Sequence, residues 1–307
     1  MAKAFRRIDS AASQFGLFAG ESQLLKVLTS ASKARSLRFL DTSKGGSFVS
    51  IDEVGRGCLA GPVVVCATAW QSLEDVASTA PWIEYLKDSK KLSQKKREEL
   101  YGSMLTHLGK AWHCEDLPSL RKTTDSMLEV SLTTAFQTPA KVQKFTHSDV
   151  RRLIGEKPPS EGIQIFSMTC AAIGSATPQE IDLYGLSHSL NIAAQRALDR
   201  LELHKSPDFL FFDGNRPLKL SSSWSQLTQC LVTQGDDCLK SISASSVLAK
   251  VVRDHWMDKL SSSFPEFGFS DNRGYGTEAH RKALAQVGPT RVHRHSFLKN
   301  ICPVMLP

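Results

Sequence analysis

Three apolar runs in this chain end in acids, and any fold must accommodate them. Phe48–Val54 carries Asp52 and Glu53 between Ile51 and Val54. Phe209-Leu210-Phe211-Phe212 runs into Asp213, and Leu231-Val232-Thr233-Gln234-Gly235 runs into Asp236. Runs rich in Val, Ile and Phe read as strands. A carboxylate at the end of a buried strand is costly unless it is paired or bound to metal. A single such Asp reads as turn chemistry, because Asp-Gly and Gly-Asp are common in turns. Three such sites in one sheet point to a metal site instead. With no His or Cys beside them, the donors suit a hard cation, Mg²⁺ or Mn²⁺. Two such ions about 3.5–4 Å apart can activate a water and neutralise the leaving oxygen of a phosphodiester. Adjacent side chains of a pleated strand face opposite ways. Asp52 and Glu53 therefore cannot both bridge the ions; one is expected at the centre and the other at its edge.

The rest of the chain supplies the frame. Phe48–Val54 and Pro62–Trp70 are expected to pair as a hairpin across the tight Gly55–Gly61 connection. Lys95–Leu108 reads as a helix with a basic first turn. Residues 110–162 show weak periodicity and a Lys157-Pro158-Pro159-Ser160 break, and read as a partly helical, mobile insertion. Ile163–Gly174 is a strand. Thr177-Pro178-Gln179-Glu180 is a capping box with proline at the first helical position. Leu186–Leu203, Ile242–Leu260 and Thr277–Val287 have helical spacing, the last closed by Gly288-Pro289. Asp208–Phe212 and Gln229–Thr233 are further short strands. The series implies an α/β core with a helical C-terminal part.

At 307 residues the chain suits one large domain with appendages. No run approaches the length of a membrane span. A formal charge of +7 and a pI near 9.0 favour a polyanionic partner, most simply nucleic acid, although a basic solubility surface gives the same balance. Seven scattered cysteines with no C-x-x-C pair argue against a disulfide framework or zinc, and for a reducing compartment. His293 and His295 flank Arg294 and read as a basic surface patch rather than metal ligands. Residues 1–47 hold eight Lys and Arg against three Asp and Glu, with many Ser and Ala. That is transit-peptide composition, and a mitochondrial or other organellar address is the expectation; a basic arm that helps hold nucleic acid, in the cytoplasm or nucleus, is the alternative.

Three further segments lie near the acids in sequence or in charge. Gly55-Arg56-Gly57 follows them directly; glycines let backbone approach a ligand, and free N–H groups there could bond the 2′-OH that marks RNA. A plain hairpin turn explains the same residues. Lys87, Lys90, Lys91, Lys95 and Lys96 read as a solvated face or, beside a phosphodiester site, as a phosphate clamp. Gly274-Tyr275-Gly276-Thr277 reads as a packed turn tyrosine or as a ring stacked on a sugar or base.

Taken together, these segments resemble ribonuclease HII, in its bacterial-type branch. Ile51-Asp52-Glu53-Val54-Gly55-Arg56-Gly57-Cys58-Leu59-Ala60-Gly61-Pro62-Val63 is similar to the family's opening block, and Asp88-Ser89-Lys90-Lys91-Leu92 to its next. Gln179-Glu180-Ile181-Asp182, Asp213-Gly214-Asn215 and Gln234-Gly235-Asp236 follow in order. Ser243–Asp254 resembles the long-helix block, Arg273-Gly274-Tyr275 stands for Lys-Gly-Tyr, and Val292–Phe297 is like the closing motif. The likeness covers about residues 48–298 without the 110–162 stretch. It implies a ribonuclease H-like fold with a central five-stranded mixed sheet and flanking helices, and a catalytic domain over 48–300.

By the same resemblance, Asp52, Glu53, Asp213 and Asp236 would be the metal-binding acids, the last placed by the seven-residue step to Ser243. Asp237 and Asp254 are weaker candidates, Asp254 being expected to pair with Arg253. Gly55, Arg56 and Gly57 would sense the 2′-OH, Lys90 would hold a phosphate, and Tyr275 would stack on the deoxyribose at the RNA–DNA junction. The implied enzyme is a monomer, needs two Mg²⁺ or Mn²⁺ ions, and cuts hybrids and single embedded ribonucleotides to leave a 3′-hydroxyl and a 5′-phosphate. The long lead-in, the 110–162 stretch and the Ser-rich Arg216–Gln226 loop depart from the family pattern and hint at extra contacts. Two other readings stand beside it: a DNA-cutting relative of the same fold, and a non-catalytic nucleic-acid-binding subunit.

Overall fold

The computed structural model describes Glu21, Ser22, Leu24 and residues 46–73, 80–117, 136–155, 165–299 and 301. The transit-like reading of residues 1–47 falls almost entirely outside them, as does the Lys157–Ser160 break.

Apolar strand runs stack into one mixed sheet. β1 (Ser47–Val54) and β2 (Val63–Leu73) form the expected antiparallel hairpin, with Asp52 opposite Cys66. β3 (Trp112–His113), β4 (Lys141–Phe145), β5 (Ile165–Ala176), β6 (Phe209–Asp213) and β7 (Thr228–Val232) complete the sheet. The spatial order is β3-β5-β2-β1-β6-β7-β4. β1 through β6, β7 and β4 run parallel; β2 is antiparallel to both its neighbours. The sheet therefore has seven strands, not five. The two added strands come from residues 110–162 and occupy its two edges. β3 spans only two residues, and β4, Lys-Val-Gln-Lys-Phe, holds two apolar residues with neither a continuous apolar run nor strict alternation, so neither stands out in sequence.

Alternation along β1 sorts side chains between two apolar layers. Phe48 joins Phe211, Phe166, Cys66 and Val232 on one face. Val49 and Ile51 join Leu210, Phe212, Val65 and Leu231 on the other. Among the described residues, seven α-helices flank or follow the sheet after α1 (Gln94–Leu108): α2 (His147–Gly155), α3 (Pro178–Tyr184), α4 (Leu186–Asp199), α5 (Gly235–Cys238), α6 (Lys240–Ser263), α7 (Phe269–Asn272) and α8 (Glu278–Val287). α6 covers the first face and α4 the second. α4 lies backbone-close to β5, where a Cβ on Gly174 would sit 2.1 Å from the Ala193 carbonyl oxygen. Only glycine fits there.

The ends of the helices are set by local chemistry. α3 begins with the expected capping box, Thr177 and Glu180 bonding each other's backbone N–H. Glu180 also pairs with Arg196 of α4 at 2.7 Å, locking the two helices. Upstream, Glu21 is buried and accepts a hydrogen bond from the Ser241 N–H in the first turn of α6, while Leu24 packs into the core beneath. This part of residues 1–47 thus belongs to the folded body. Among the described residues no helix is long and apolar enough to cross a membrane.

Candidate active site

The parallel register of β1 and β6 is what brings the acids together. Ile51 pairs with Phe212, so the next residues, Asp52 and Asp213, leave adjacent strands side by side. On β7, Val232 lies beside Asp213, and the chain then turns through Gln234, held at φ +57°, into α5. That left-handed turn is strained for a non-glycine residue. It swings Asp236 back over the end of β6. Asp52, Asp213 and Asp236 consequently offer carboxylate oxygens all within 4.8 Å of one another.

Glu53 stands apart from this trio. Its side chain leaves the opposite side of β1, as strand alternation requires, and its Oε1 lies 3.0 Å from Arg56 Nη1. Its other oxygen is buried without a hydrogen-bond partner. Asp237, adjacent to Asp236, faces away and meets Lys91, His147 and Arg151. Asp254 pairs with Lys250 at 2.7 Å and lies 3.9 Å from Arg273. The expected Arg253–Asp254 pair is not made, because the Arg253 guanidinium turns to backbone carbonyls instead.

Burial and mutual repulsion raise every one of the clustered acids. Burial is the larger cause for Asp52, pushed well above the usual carboxylate range, with Glu53 and Asp213 adding repulsion. Asp236 is pushed up to about 6 by burial and by Asp213 and Asp88. Burial raises Asp213 against the opposing Gly235 N–H, 2.7 Å from its Oδ1, and raises Glu53 against Arg56. Cations held among these groups would oppose both causes. Buried all-oxygen donors, an orphaned Glu53 oxygen and no neighbouring imidazole or thiolate in the trio fit divalent Mg²⁺ or Mn²⁺.

Neighbouring residues fix these acids. Ser243 Oγ donates to the Asp236 carbonyl at 2.8 Å, tying α5 to α6 across the seven-residue step. Ser246 of α6 hydrogen-bonds Asp52 and lies 2.9 Å from Ser89 Oγ. Lys90 is exposed, with its Nζ 3.7 Å from Asp236, and its turn is pinned by Arg97 donating to the Ser89 and Leu92 carbonyls. Sequence reasoning gives no site role to Asp88 and Ser246, whose roles come from contacts across the fold, or to Arg97, whose bonds go to nearby main-chain carbonyls. Only Asp88, in the same short block as Lys90, had a local signal.

The glycine loop rests on two buried guanidiniums. Arg253 donates to the carbonyls of Pro62, Ala60 and Arg273 at 3.1, 3.2 and 2.8 Å. Arg294 donates to those of Gly61 and Arg56 at 2.8–3.0 Å. Arg294 and His293 are fully buried, His293 against His280 and Phe267, so the expected basic surface patch is instead an internal support. Its polar groups are satisfied by backbone carbonyls, which leave no trace in a residue pattern. Leu59 N–H donates to Gly274 O, joining the loop to the turn that carries Tyr275. Tyr275 is half exposed and lies against Cys58. Gly55, Arg56, Gly57 and Tyr275 therefore form one rim beside the acids.

Metal binding should register in stability. The folded state holds more protons than the unfolded chain wherever these acids are raised, so without metal the contribution of Asp236 falls as pH climbs from about 4 through about 6, and the other acids act in the same direction. Metal binding displaces those protons. Mn²⁺ at about 100 times its Kd should add about 2.7 kcal/mol, or on the order of 5–10 °C in Tm. At that same Mn²⁺ concentration the gain should be larger at about pH 7.5, where Kd is lower, than at about pH 5. Thermal unfolding with and without Mn²⁺ at both values measures it; an equal gain at both would mean the acids are not the site.

A family model described as Ribonuclease HII matches residues 49–300. Ribonuclease HII of Synechococcus sp. (strain CC9902) is 33% identical over 264 residues, covering 86% of this chain and 98% of that protein. Its counterpart in Synechococcus sp. (strain WH7803) is 32% identical over 255 residues, covering 83% and 96%. Among solved structures, that of the ribonuclease H2 from Pyrococcus horikoshii OT3 is similar with a TM-score of 0.48 and 17% identity, over 83% of this chain and 96% of that one.

Proposed function

Because the chain belongs to the ribonuclease HII family and is a ribonuclease H, we propose that it cuts the RNA strand of RNA–DNA hybrids and cuts 5′ of single ribonucleotides embedded in duplex DNA. The convergence of Asp52, Asp213 and Asp236 beside the Gly55–Gly57 loop carries this reading. Asp52, Asp213 and Asp236 would hold two divalent cations, with Glu53 completing the shell from the edge. When bound, such a pair supplies activation of water and neutralisation of the leaving oxygen.

The protein's own groups then position the substrate. The Gly55, Arg56 and Gly57 backbone, held from below by Arg253 and Arg294, would present N–H groups to the 2′-OH. Lys90 would hold a phosphate beside Asp236. Tyr275 would stack on the deoxyribose next to the junction. The role in the cell would be removal of ribonucleotides from DNA and clearance of primers and hybrids, by a monomer. An organellar address would lie upstream of Glu21, since Glu21 is part of the fold.

Cleavage of a labelled DNA duplex with one ribonucleotide, in Mg²⁺ or Mn²⁺ beside an all-DNA control, tests the reading. A single cut 5′ of the ribonucleotide supports it. Cleavage of long hybrids alone would reject the junction model, and cleavage of the all-DNA control would favour a DNA-cutting relative. Tyr275→Ala should lower kcat/KM on the single ribonucleotide by about tenfold, the scale of one lost stacking contact, and affect long hybrids less. Equal loss on both would remove Tyr275 from junction reading.

A further inference from the structure

Residues 136–155 do more than close one edge of the sheet. β4 pairs with β7, two strands from β1, and α2 follows it directly onto the side where α5 carries Asp236 and Asp237. Residues 141–155 hold Lys141, Lys144, Arg151 and Arg152 against a single acid, Asp149. Asp149 is engaged locally, accepting from the Thr146 N–H and hydroxyl and lying 3.6 Å from Arg152.

The basic groups meet the candidate centre at Asp237. Its carboxylate has Lys91 Nζ at 2.6 Å, His147 Nε2 at 3.3 Å and Arg151 Nη2 at 3.6 Å. Two permanent cations on one carboxylate leave net positive charge, and together they have more N–H donors than Asp237 can accept. Lys91 and Arg151 are more than half exposed. With Lys90 beside Asp236, a positive surface starts at the acids and runs outward over α2. Asp237 is thereby given a purpose other than metal binding: it orders three basic groups from two separate segments.

We propose that Lys91, His147, Arg151 and Arg152 form a second contact for the substrate's DNA backbone, gripping the duplex arm away from the cut. The inference rests on the function proposed above and names where the rest of that substrate lies. Spaced basic groups that read no base edge fit phosphates, whose contacts position a duplex without reading sequence.

The test is Arg151→Glu combined with Arg152→Glu, on duplexes with one ribonucleotide and arms shortened from either end. The wild type should lose affinity when one particular arm is shortened; the variant should not. KM on the full duplex should rise at least about tenfold and the slope of log KM against log salt should fall by about 2, kcat being kept. No dependence of the wild type on either arm, or an unchanged salt slope in the variant, overturns the proposal. Arg151→Lys keeps the charge and should bind as the wild type does; a loss equal to that of charge reversal would assign the effect to local folding and also overturn it. Fluorescence anisotropy with an all-DNA duplex reads the surface without cleavage. Weakened binding there, in a protein that does not cut at ribonucleotides, would uphold the surface and sink the function proposed for the acids.

Discussion

Asp52→Asn should lower cleavage by at least about a thousandfold while leaving a fold at least as stable as the wild type without metal. The side chain is buried at the meeting point of β1 and β6, and its charge is opposed by burial, Glu53, Asp213 and Asp236. Removing that charge relieves repulsion in the metal-free protein. The Asn carbonyl can keep the 2.8 Å bond that Asp52 Oδ1 accepts from the Glu53 N–H, so little packing is lost. What disappears is the carboxylate beside Asp213 and Asp236 that would bind the cations. Each 1.36 kcal/mol of lost transition-state stabilisation is tenfold in rate, and several kcal/mol are at stake at a metal centre. Cleavage assays paired with thermal unfolding, with and without Mn²⁺, separate the two effects. A folded variant that cuts within about tenfold of the wild type would place Asp52 outside the centre. A variant inactive because it is unfolded would contradict the repulsion argument instead.

The part of this site that could be read in the sequence is the part carried by strand periodicity. Read as a strand, Phe48–Val54 turns neighbouring side chains to opposite faces and so separates Asp52 from Glu53, and the structure places Asp52 in the trio and Glu53 at its edge. The step from Asp236 to Ser243 is likewise a physical link, a hydroxyl bonded to a carbonyl. What escaped was set by tertiary contacts. Lys141–Phe145 has no continuous apolar face and is a strand only because β7 pairs with it. His293 and Arg294 look like surface charge, yet both are buried because carbonyls at Arg56 and Gly61 accept from the arginine. Arg253 bonds away from its sequence neighbour Asp254 for the same reason: its acceptors are main-chain atoms distant in sequence.

That arrangement makes Gly55→Ala a demanding test of how the loop is held. Gly55 sits at φ +88°, and a Cβ there would lie 2.3 Å from Arg253 Nε and 2.9 Å from its Cδ and Cζ. A non-glycine residue at such φ costs about 1–3 kcal/mol. Displacing the guanidinium would also leave buried carbonyls unpaired, at about 1–3 kcal/mol each. A net destabilisation of about 2–5 kcal/mol is expected, which a domain of ordinary stability can survive. Cleavage at an embedded ribonucleotide should fall by about a hundredfold or more, because a loop shifted by an ångström no longer aims its N–H groups. Gly57→Ala supplies the contrast. Its φ is not left-handed and nothing lies within 4 Å of the added Cβ, so the fold should be unaffected. If the loop touches the sugar, that methyl meets substrate and cleavage drops with Tm unchanged. Gly57→Ala cutting as well as the wild type would take the loop away from the substrate. Gly55→Ala with an unchanged Tm would mean that Arg253 does not anchor it.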